Sequence, residues 1–297
     1  MSARAARLAR VPATIVVVWA ILAMAVPAAM TLYTPYLVRP GIQCVRSSTA
    51  ITPGGPIPPG VCVGLAELYH LSFADLFVDA MFRSLALLVG AAMLALILGT
   101  LLGVVSALLR RRAFAGLALV GVMTMLMAVP SFFIAYFLQV LVIVLGASAE
   151  GTRLLPVFGF GYDDHLVLPL LSIALPAVTY TAQLTATRMQ EVLDSDFITT
   201  ATAKGLRLPW ILGIHVLPHV RPMLLEGLAS GLRVSVASLP IVEFLFNWRG
   251  IGQLALEAVG VQDAAGFVFS AVVLAGLFAT LSALADLARP QPLFRPL

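Results

Sequence analysis

Charge is scarce in this sequence. Only 11% of its 297 residues are Asp, Glu, Lys or Arg, whereas 61% are hydrophobic, and the mean hydropathy is +1.02. A soluble domain usually carries about 25% charged residues. Too few polar residues remain to cover a soluble globule of this length, so the composition indicates a membrane protein with several spans.

Residues that could carry catalysis are also few. The sequence has no glycine-rich phosphate loop followed by Lys and Ser or Thr, so we expect no ATP or Mg²⁺ site and no ATP hydrolysis in this chain. It has no His-Glu-x-x-His motif and no Cys/His cluster at metal-ligand spacing. His215 and His219 are four residues apart, but Pro218 lies between them and no third ligand is near. We therefore predict neither an enzyme nor a metal site.

Cysteine occurs only twice, as Cys44 and Cys62. Both lie in a segment rich in proline and glycine that follows the first apolar stretch. A disulfide that stiffens this segment is the favoured expectation if the segment lies outside the cytoplasm. Two unpaired thiols are the alternative.

Six apolar stretches are long enough to cross about 30 Å of hydrocarbon as helices. They are Val11–Leu32, Ser84–Leu109, Phe114–Ala147, Leu166–Met189, Met223–Phe246 and Gly266–Leu287. The third is too long for one straight span, and Pro130 is expected to kink or divide it. The first follows three arginines, as in a signal peptide, but its apolar run is too long for one, which favours an uncleaved span. The expected fold is all-α, with six transmembrane helices.

The basic residues predict how these helices are oriented. They cluster before the first span, after the second, between the fourth and fifth, and after the sixth. With six crossings these four groups share one face, and an excess of basic residues marks the cytoplasmic face. Both termini are therefore expected in the cytoplasm. The segment 247–265 would then lie outside, and it is apolar enough to dip back into the bundle.

Two features within the spans leave alternatives open. Arg233 lies inside the fifth span, where it would either line a polar translocation path or make a structural contact. Gly-x-x-x-Gly motifs occur at Gly99 and Gly103 and again at Gly227 and Gly231. Such motifs let helix backbones approach closely, which fits a packed bundle and a partner interface equally well.

The segment between the fourth and fifth spans is amphipathic. Asp196 can cap a short helix and Gly205 can end it, with Lys204 at its carboxyl end and Pro209 at the start of the next helix. Phe197, Ile198 and Ala201 would form an apolar side, and nothing in a cytoplasmic loop is expected to bury that side. The pattern predicts a partner protein.

The spacing of this segment resembles the loop found in permease subunits of binding-protein-dependent ABC importers. That loop has a Glu-Ala-Ala triplet, a glycine after three further residues, and Ile-x-Leu-Pro after nine more. Here Thr199, Thr200 and Ala201 stand at the triplet, followed by Gly205 and by "HVLP" from His215 through Leu217 and Pro218. Only the last Ala of the triplet is kept, and His215 replaces Ile. The stretch "DFITTATAKGL", Asp196 to Leu206, is similar to the dipeptide/oligopeptide branch of the family.

Further similarity to that branch covers about Leu85 to the end of the chain, including "VEFLFNWRGIGQLALEAVGVQD". A first span followed by a long outer loop is similar to the B-type permease of the pair. The resemblance implies a type I ABC importer permease fold. It divides the chain into residues 1–83, the first span and outer loop, and residues 84–297, the permease core with a coupling loop at 190–222.

The resemblance also implies partners. These are a second, related permease, two cytoplasmic ATPases that bind ATP and Mg²⁺, and an external substrate-binding protein, all at the bacterial plasma membrane. The coupling helix, with Thr202 and Ala203 in its last turn, would dock on an ATPase through Phe197, Ile198 and Ala201. Di- or oligopeptides are the expected substrates, and glutathione or chelated nickel are alternatives. The rival class is a secondary carrier or a membrane-embedded enzyme, but neither needs a projecting docking helix.

Overall fold

The computed structural model describes residues 15–17, 19–20, 24, 73–109, 113–148, 155–261 and 263–288, and the regular structure in these ranges is helical. The helices are α1 (Phe73–Leu94), α2 (Thr100–Leu109), α3 (Ala113–Ala128), α4 (Ser131–Ser148), α5 (Val167–Leu193), α6 (Asp196–Ala203), α7 (Leu217–Phe246), α8 (Ile251–Gly260) and α9 (Ala264–Ala288). A π-helical turn, Ala95–Gly99, joins α1 to α2. A helical turn at Leu208–Trp210 and a second π-helical turn, Ile211–Val216, lead into α7.

Four of the predicted spans have counterparts among single continuous helices that are long and apolar enough to cross a membrane. These candidate spans are Asp75–Leu109, Asp164–Leu193, Leu208–Phe246 and Ala264–Asp286. The broken pair Ala118–Ala128 and Ser131–Ala147 gives a fifth if it is counted as one span. Most of the first predicted span, Val11–Leu32, lies outside the described residues, as do Cys44 and Cys62.

Pro130 divides the third apolar stretch as predicted. Helix α3 ends at Ala128 and α4 begins at Ser131, and the two axes differ by 100°. Proline cannot donate the hydrogen bond that would continue α3, and its ring clashes with the carbonyl four residues earlier. The carbonyl of Pro130 instead accepts from the N–H of Phe133 at 3.0 Å and so starts α4.

Helix α5 lies at the centre of the bundle. In the span Asp164–Leu193, 61% of the most apolar 18-residue stretch is buried within the chain, against 17% of the corresponding stretch in Ala264–Asp286. Both Gly-x-x-x-Gly motifs face it. A Cβ at Gly103 would lie 2.8 Å from the carbonyl oxygen of Ala182, and one at Gly231 would lie 2.4 Å from Cα of Ala177. Gly99 and Gly227 also face α5, at Thr181. The motifs therefore pack α2 and α7 against α5 within one chain.

Trp19, which lies within the first predicted span, contacts α9. Trp19 Nε1 donates a hydrogen bond to Thr280 Oγ1 of α9 at 3.1 Å. A Cβ at Gly276 would lie 2.7 Å from the Trp19 ring, so this glycine makes room for the indole. Trp19 thus packs on α9.

The segment 247–265 dips back into the bundle, as its apolar composition predicts. Its ten-residue helix α8 is about 15 Å long, too short to cross the hydrocarbon core of about 30 Å. Ile251 and Leu254 are fully or almost fully buried in the main core cluster. The core at this end of the bundle is completed by Trp248 and Phe246 at the end of α7.

Candidate functional site

The connecting segment between α5 and α7, residues 194–216, contains the predicted short helix. Helix α6 begins at Asp196, but the predicted cap is wrong: Ser195, with extended backbone, is the N-cap residue, and its side chain makes no capping hydrogen bond. Asp196 lies in the first turn instead, where a negative charge is favoured by the helix dipole. The extended backbone of Ser195 separates α6 from the end of α5, so the new helix begins at the next residue.

The carboxyl end of α6 follows the prediction. Lys204 is the C-cap and Gly205 is left-handed, with φ of +77°. The N–H of Gly205 donates to the carbonyl of Thr202 at 2.9 Å, and that of Leu206 donates to the carbonyl of Ala201 at 3.3 Å. This pair of bonds is the Schellman arrangement that ends many helices at glycine. It fixes the direction in which the chain leaves α6.

Replacing Gly205 by alanine should loosen this turn by about 1–2 kcal/mol, because a Cβ is disfavoured in the left-handed region. A Cβ there would meet no atom within 4 Å, so the cost comes from the backbone alone. We expect faster hydrogen exchange in the amides of α6. Gly213→Ala is the matched control, since Gly213 also has open space around it and its φ is not positive. Equal exchange in both variants would contradict this role of Gly205.

One face of α6 is buried against its own chain. Ile198 is 6% exposed and Ala201 is 7% exposed. They pack in one cluster at the end of the bundle, with Ala107, Met189, Val192, Ile211, Val216 and Val220. The prediction that Ile198 and Ala201 form a contact for a partner is therefore wrong. The π-helical turn of the same segment, with Ile211 and Val216, supplies part of the apolar cover, and the ends of α2, α5 and α7 supply the rest.

The opposite face of α6 is free in this chain. Asp196, Thr199, Thr200 and Ala203 are exposed on it. Phe197 lies on the flank, 43% exposed, with its ring centroid 5.4 Å from that of His219. A partner that docks on α6 would meet this mainly polar face, with Phe197 at its edge.

The π-helical turn explains the histidine that stands where the family pattern has isoleucine. Val216 and Ile211 enter the buried cluster, whereas His215 is half-buried and Leu217 is exposed. The carbonyl of His215 lies 2.9 Å from Nδ1 of His219. A π turn shifts the helical phase, so the neighbouring Val216 takes the buried position. Position 215 can then carry a polar ring.

Arg233 lies on α7 and is half-buried. Its Nη2 donates to Ser230 Oγ at 2.8 Å, one helical turn away. On α5, the half-buried Gln183 donates to Thr124 Oγ1 of α3 at 3.2 Å. Whether Arg233 lines a path stays a prediction.

Asp163 and His165, which precede α5, form a local cap. Asp163 Oδ1 accepts from the backbone N–H of His165 at 3.1 Å and lies 2.7 Å from its Nδ1. These hydrogen bonds from His165 lower the pKa of the Asp163 carboxyl. Asp163 is the N-cap of the helical turn Asp164–Leu166, and His165 lies within that turn. Their contact is therefore explained by the way the turn begins.

The sequence analysis missed the role of Glu243, an acid near the end of α7. The side chain is completely buried. It accepts hydrogen bonds from Ser84 Oγ of α1 at 2.6 Å and from the N–H of Gly252 in α8 at 2.8 Å. The only signal in the sequence is an acid shortly before a Gly-Ile-Gly turn, and nothing there indicates Ser84.

The fold and the connecting segment define a multi-pass helical membrane protein with a folded helix between two of its spans. Residues 99–290 match the family described as the inner membrane component of binding-protein-dependent transport systems. The chain belongs to this family and is a multi-pass protein of the inner membrane. The match includes α6 and the whole of α7 and α8.

Several named relatives are similar over more than half of the chain. A Brucella ovis protein with the provisional name of a peptide permease is 28% identical over 75% of this chain and 70% of its own length. The metal-staphylopine import system permease of Staphylococcus aureus is 27% identical over 70% of this chain and 64% of its own. The dipeptide transport system permease of Bacillus subtilis is 29% identical over 58% of this chain and 54% of its own.

Proposed function

We propose that this chain is one of two permease subunits in an ATP-driven importer of di- or oligopeptides. Its family membership supports a membrane component that works with an external binding protein. The names of the Brucella and Bacillus relatives favour peptides. The Staphylococcus relative keeps a chelated metal as the alternative substrate. The secondary-carrier and enzyme alternatives lose support, because the matched family is the membrane component of binding-protein-dependent transport systems.

The proposed topology has six spans, with both termini in the cytoplasm. The five candidate spans of the described residues, together with Val11–Leu32, give that number. The connecting segment then lies on the cytoplasmic side, and α8 lies toward the outside. Residues 84–297 form the permease core, and the coupling loop is residues 190–222.

The observation that carries the proposal is the free face of α6. The helix is seated on its own chain by Ile198 and Ala201, in one apolar cluster with the π-helical turn Ile211–Val216 and the ends of α2, α5 and α7. Its exposed side, with Thr199, Thr200 and Ala203, is available to an ATPase that binds ATP and Mg²⁺. Movement of the ATPase would displace α6 and the helices beneath it together. Such rigid-body rocking would alternate access to the two sides of the membrane.

The translocation path would run between this chain and the second permease. A polar group that faces lipid is costly, and polar residues in spans commonly face water-filled cavities. Arg233 and Gln183, both half-buried on neighbouring helices, are candidate path residues on this ground. The external binding protein would deliver the substrate to the outer end of the path.

Uptake measurements test this function. The chain would be expressed with its cognate partners in bacteria that lack their own peptide importers. We expect labelled di- and tripeptides to accumulate, and accumulation to stop when ATP is depleted. Uptake of chelated nickel or glutathione in place of peptides would overturn the peptide assignment. Uptake driven by the proton gradient without ATP would overturn the importer itself.

A further inference from the structure

Helix α8 begins inside the bundle, and its first amide groups are bound by side chains of two other helices. The first N–H groups of any helix lack acceptors within it. Glu243 Oε2 accepts from the N–H of Gly252 at 2.8 Å and of Gln253 at 3.1 Å. Ser84 Oγ accepts from the N–H of Ile251 at 2.8 Å and donates to Glu243 Oε1 at 2.6 Å. Two side chains, 159 positions apart, thus account for three of these amides.

Two glycines allow the backbone of α8 to reach Glu243. A Cβ at Gly250 would lie 2.2 Å from Glu243 Oε1. A Cβ at Gly252 would lie 2.6 Å from Cα of Pro240 on α7. Any side chain at either position would push α8 away from α7. The Gly-Ile-Gly turn is therefore part of the same arrangement.

The turn between α7 and α8 is held at further points. Trp248 is completely buried, and its Nε1 donates to the carbonyl of Arg83, next to Ser84, at 3.1 Å. Arg249 has φ of +55°, which is unfavourable for a residue with a side chain. Its N–H donates to Gln253 Oε1 at 2.6 Å. The turn keeps this conformation because α1 and α8 both bind it.

We propose that Glu243 and Ser84 are positioning residues that join α1, α7 and α8 into one moving body at the outer end of the bundle. The inference rests on the proposed function, in which movement begins at α6. The continuous helical segment Leu208–Phe246 has 39 residues and is about 60 Å long, enough to span the membrane. Displacement of the connecting segment therefore reaches α8 through α7. Without Glu243, α8 would no longer follow.

Cysteine labelling tests the seating of α8. Cys44 and Cys62 are first replaced by serine, and a cysteine is placed at Ala258, which is 1% exposed on α8. Cells are then treated from outside with a membrane-impermeant maleimide. Glu243→Leu leaves buried amides without acceptors, so we expect labelling to become about tenfold faster or more. Ser84→Ala removes the acceptor of the Ile251 amide and one donor to Glu243 Oε1 but keeps the two amides bound to Glu243 Oε2, so it should give a smaller increase.

Glu243→Gln keeps an acceptor on a side chain of the same size. We therefore expect the cysteine at position 258 to be labelled nearly as slowly as it is with Glu243 in place. A cysteine at Ala174, which is 2% exposed on α5, is the control for general opening. It should stay protected in every variant. Equal protection of position 258 with and without Glu243→Leu would overturn the proposal, and so would labelling of both positions together.

A coupling measurement separates positioning from mere stability. In proteoliposomes with the cognate partners, Glu243→Leu should leave basal ATP hydrolysis present. The rise in hydrolysis caused by the loaded binding protein should be lost, because α8 no longer moves with α7. A normal rise would overturn the proposal. If the unsubstituted complex shows no ATP-driven uptake, the proposed function fails, while the labelling result still decides how α8 is seated.

Discussion

Glutamate in place of Ala203 should abolish ATP-driven uptake while leaving the chain folded in the membrane. Ala203 is exposed on the free face of α6, opposite the buried Ile198 and Ala201. If an ATPase covers this face, the new carboxylate is buried without a partner. That costs about 3 kcal/mol, roughly a hundredfold in affinity. Co-purification of the ATPase and the rate of peptide uptake measure the effect.

Leu208→Glu is the matched control for this variant. It also replaces an apolar, exposed residue by an acid, and it lies beyond the turn that ends α6. An acid at the start of a helix is tolerated, because it meets the positive end of the dipole. We expect near-normal uptake from this control. Normal ATPase recovery with Ala203→Glu would show that the free face of α6 is not the docking surface.

Ala201→Asp would be a poor test of docking, although Ala201 stands within the family pattern. Ala201 lies on the buried face of α6, among apolar side chains of the same chain. A carboxylate there would disrupt the seat of α6 itself. Loss of uptake would then report on folding of the connecting segment. The exposed and buried faces of α6 must therefore be tested by different substitutions.

Local patterns in the sequence predict several elements correctly. Pro130 breaks a helix for reasons contained in its own ring, and Gly205 takes a left-handed conformation that few other residues adopt. The apolar stretch that became α8 is recognisable because a short hydrophobic run needs a core. These features depend on residues within a turn or two of each other, so the sequence is sufficient.

Contacts between distant segments could not be predicted in the same way. Ile198 is buried in one apolar cluster with Ala107 at the end of α2, which lies about ninety residues earlier in the chain. Glu243 finds Ser84 only because α1 and α8 pack together at the end of α7. A hydrophobic pattern tells that a side chain is covered, but it does not tell which helix covers it. The sequence pattern therefore predicted a partner contact for the face of α6 with Ile198 and Ala201, which the chain itself covers.

Gly231→Ala should strongly reduce the amount of folded protein, because α5 and α7 touch at this point through their backbones. The added Cβ would lie 2.4 Å from Cα of Ala177 and 3.0 Å from the carbonyl oxygen of Pro176. Neither atom can rotate away, so the helices must separate along the most buried span. Overpacking of this kind costs about 1–3 kcal/mol, and leucine at 231 should cost more. Thermal unfolding in detergent and the level of chain in the membrane measure the loss.

The same substitution at Gly121 on α3 is the matched control, since its Cβ would meet no atom within 4 Å. Alanine in an open helical position should be neutral or stabilising by about 0.5–1 kcal/mol. A second test asks which atoms collide. Ala177→Gly removes a side chain but leaves the Cα and N atoms that Gly231→Ala would strike, so it should not rescue that variant. Rescue by Ala177→Gly would mean that side chains, and not backbones, set the distance between α5 and α7.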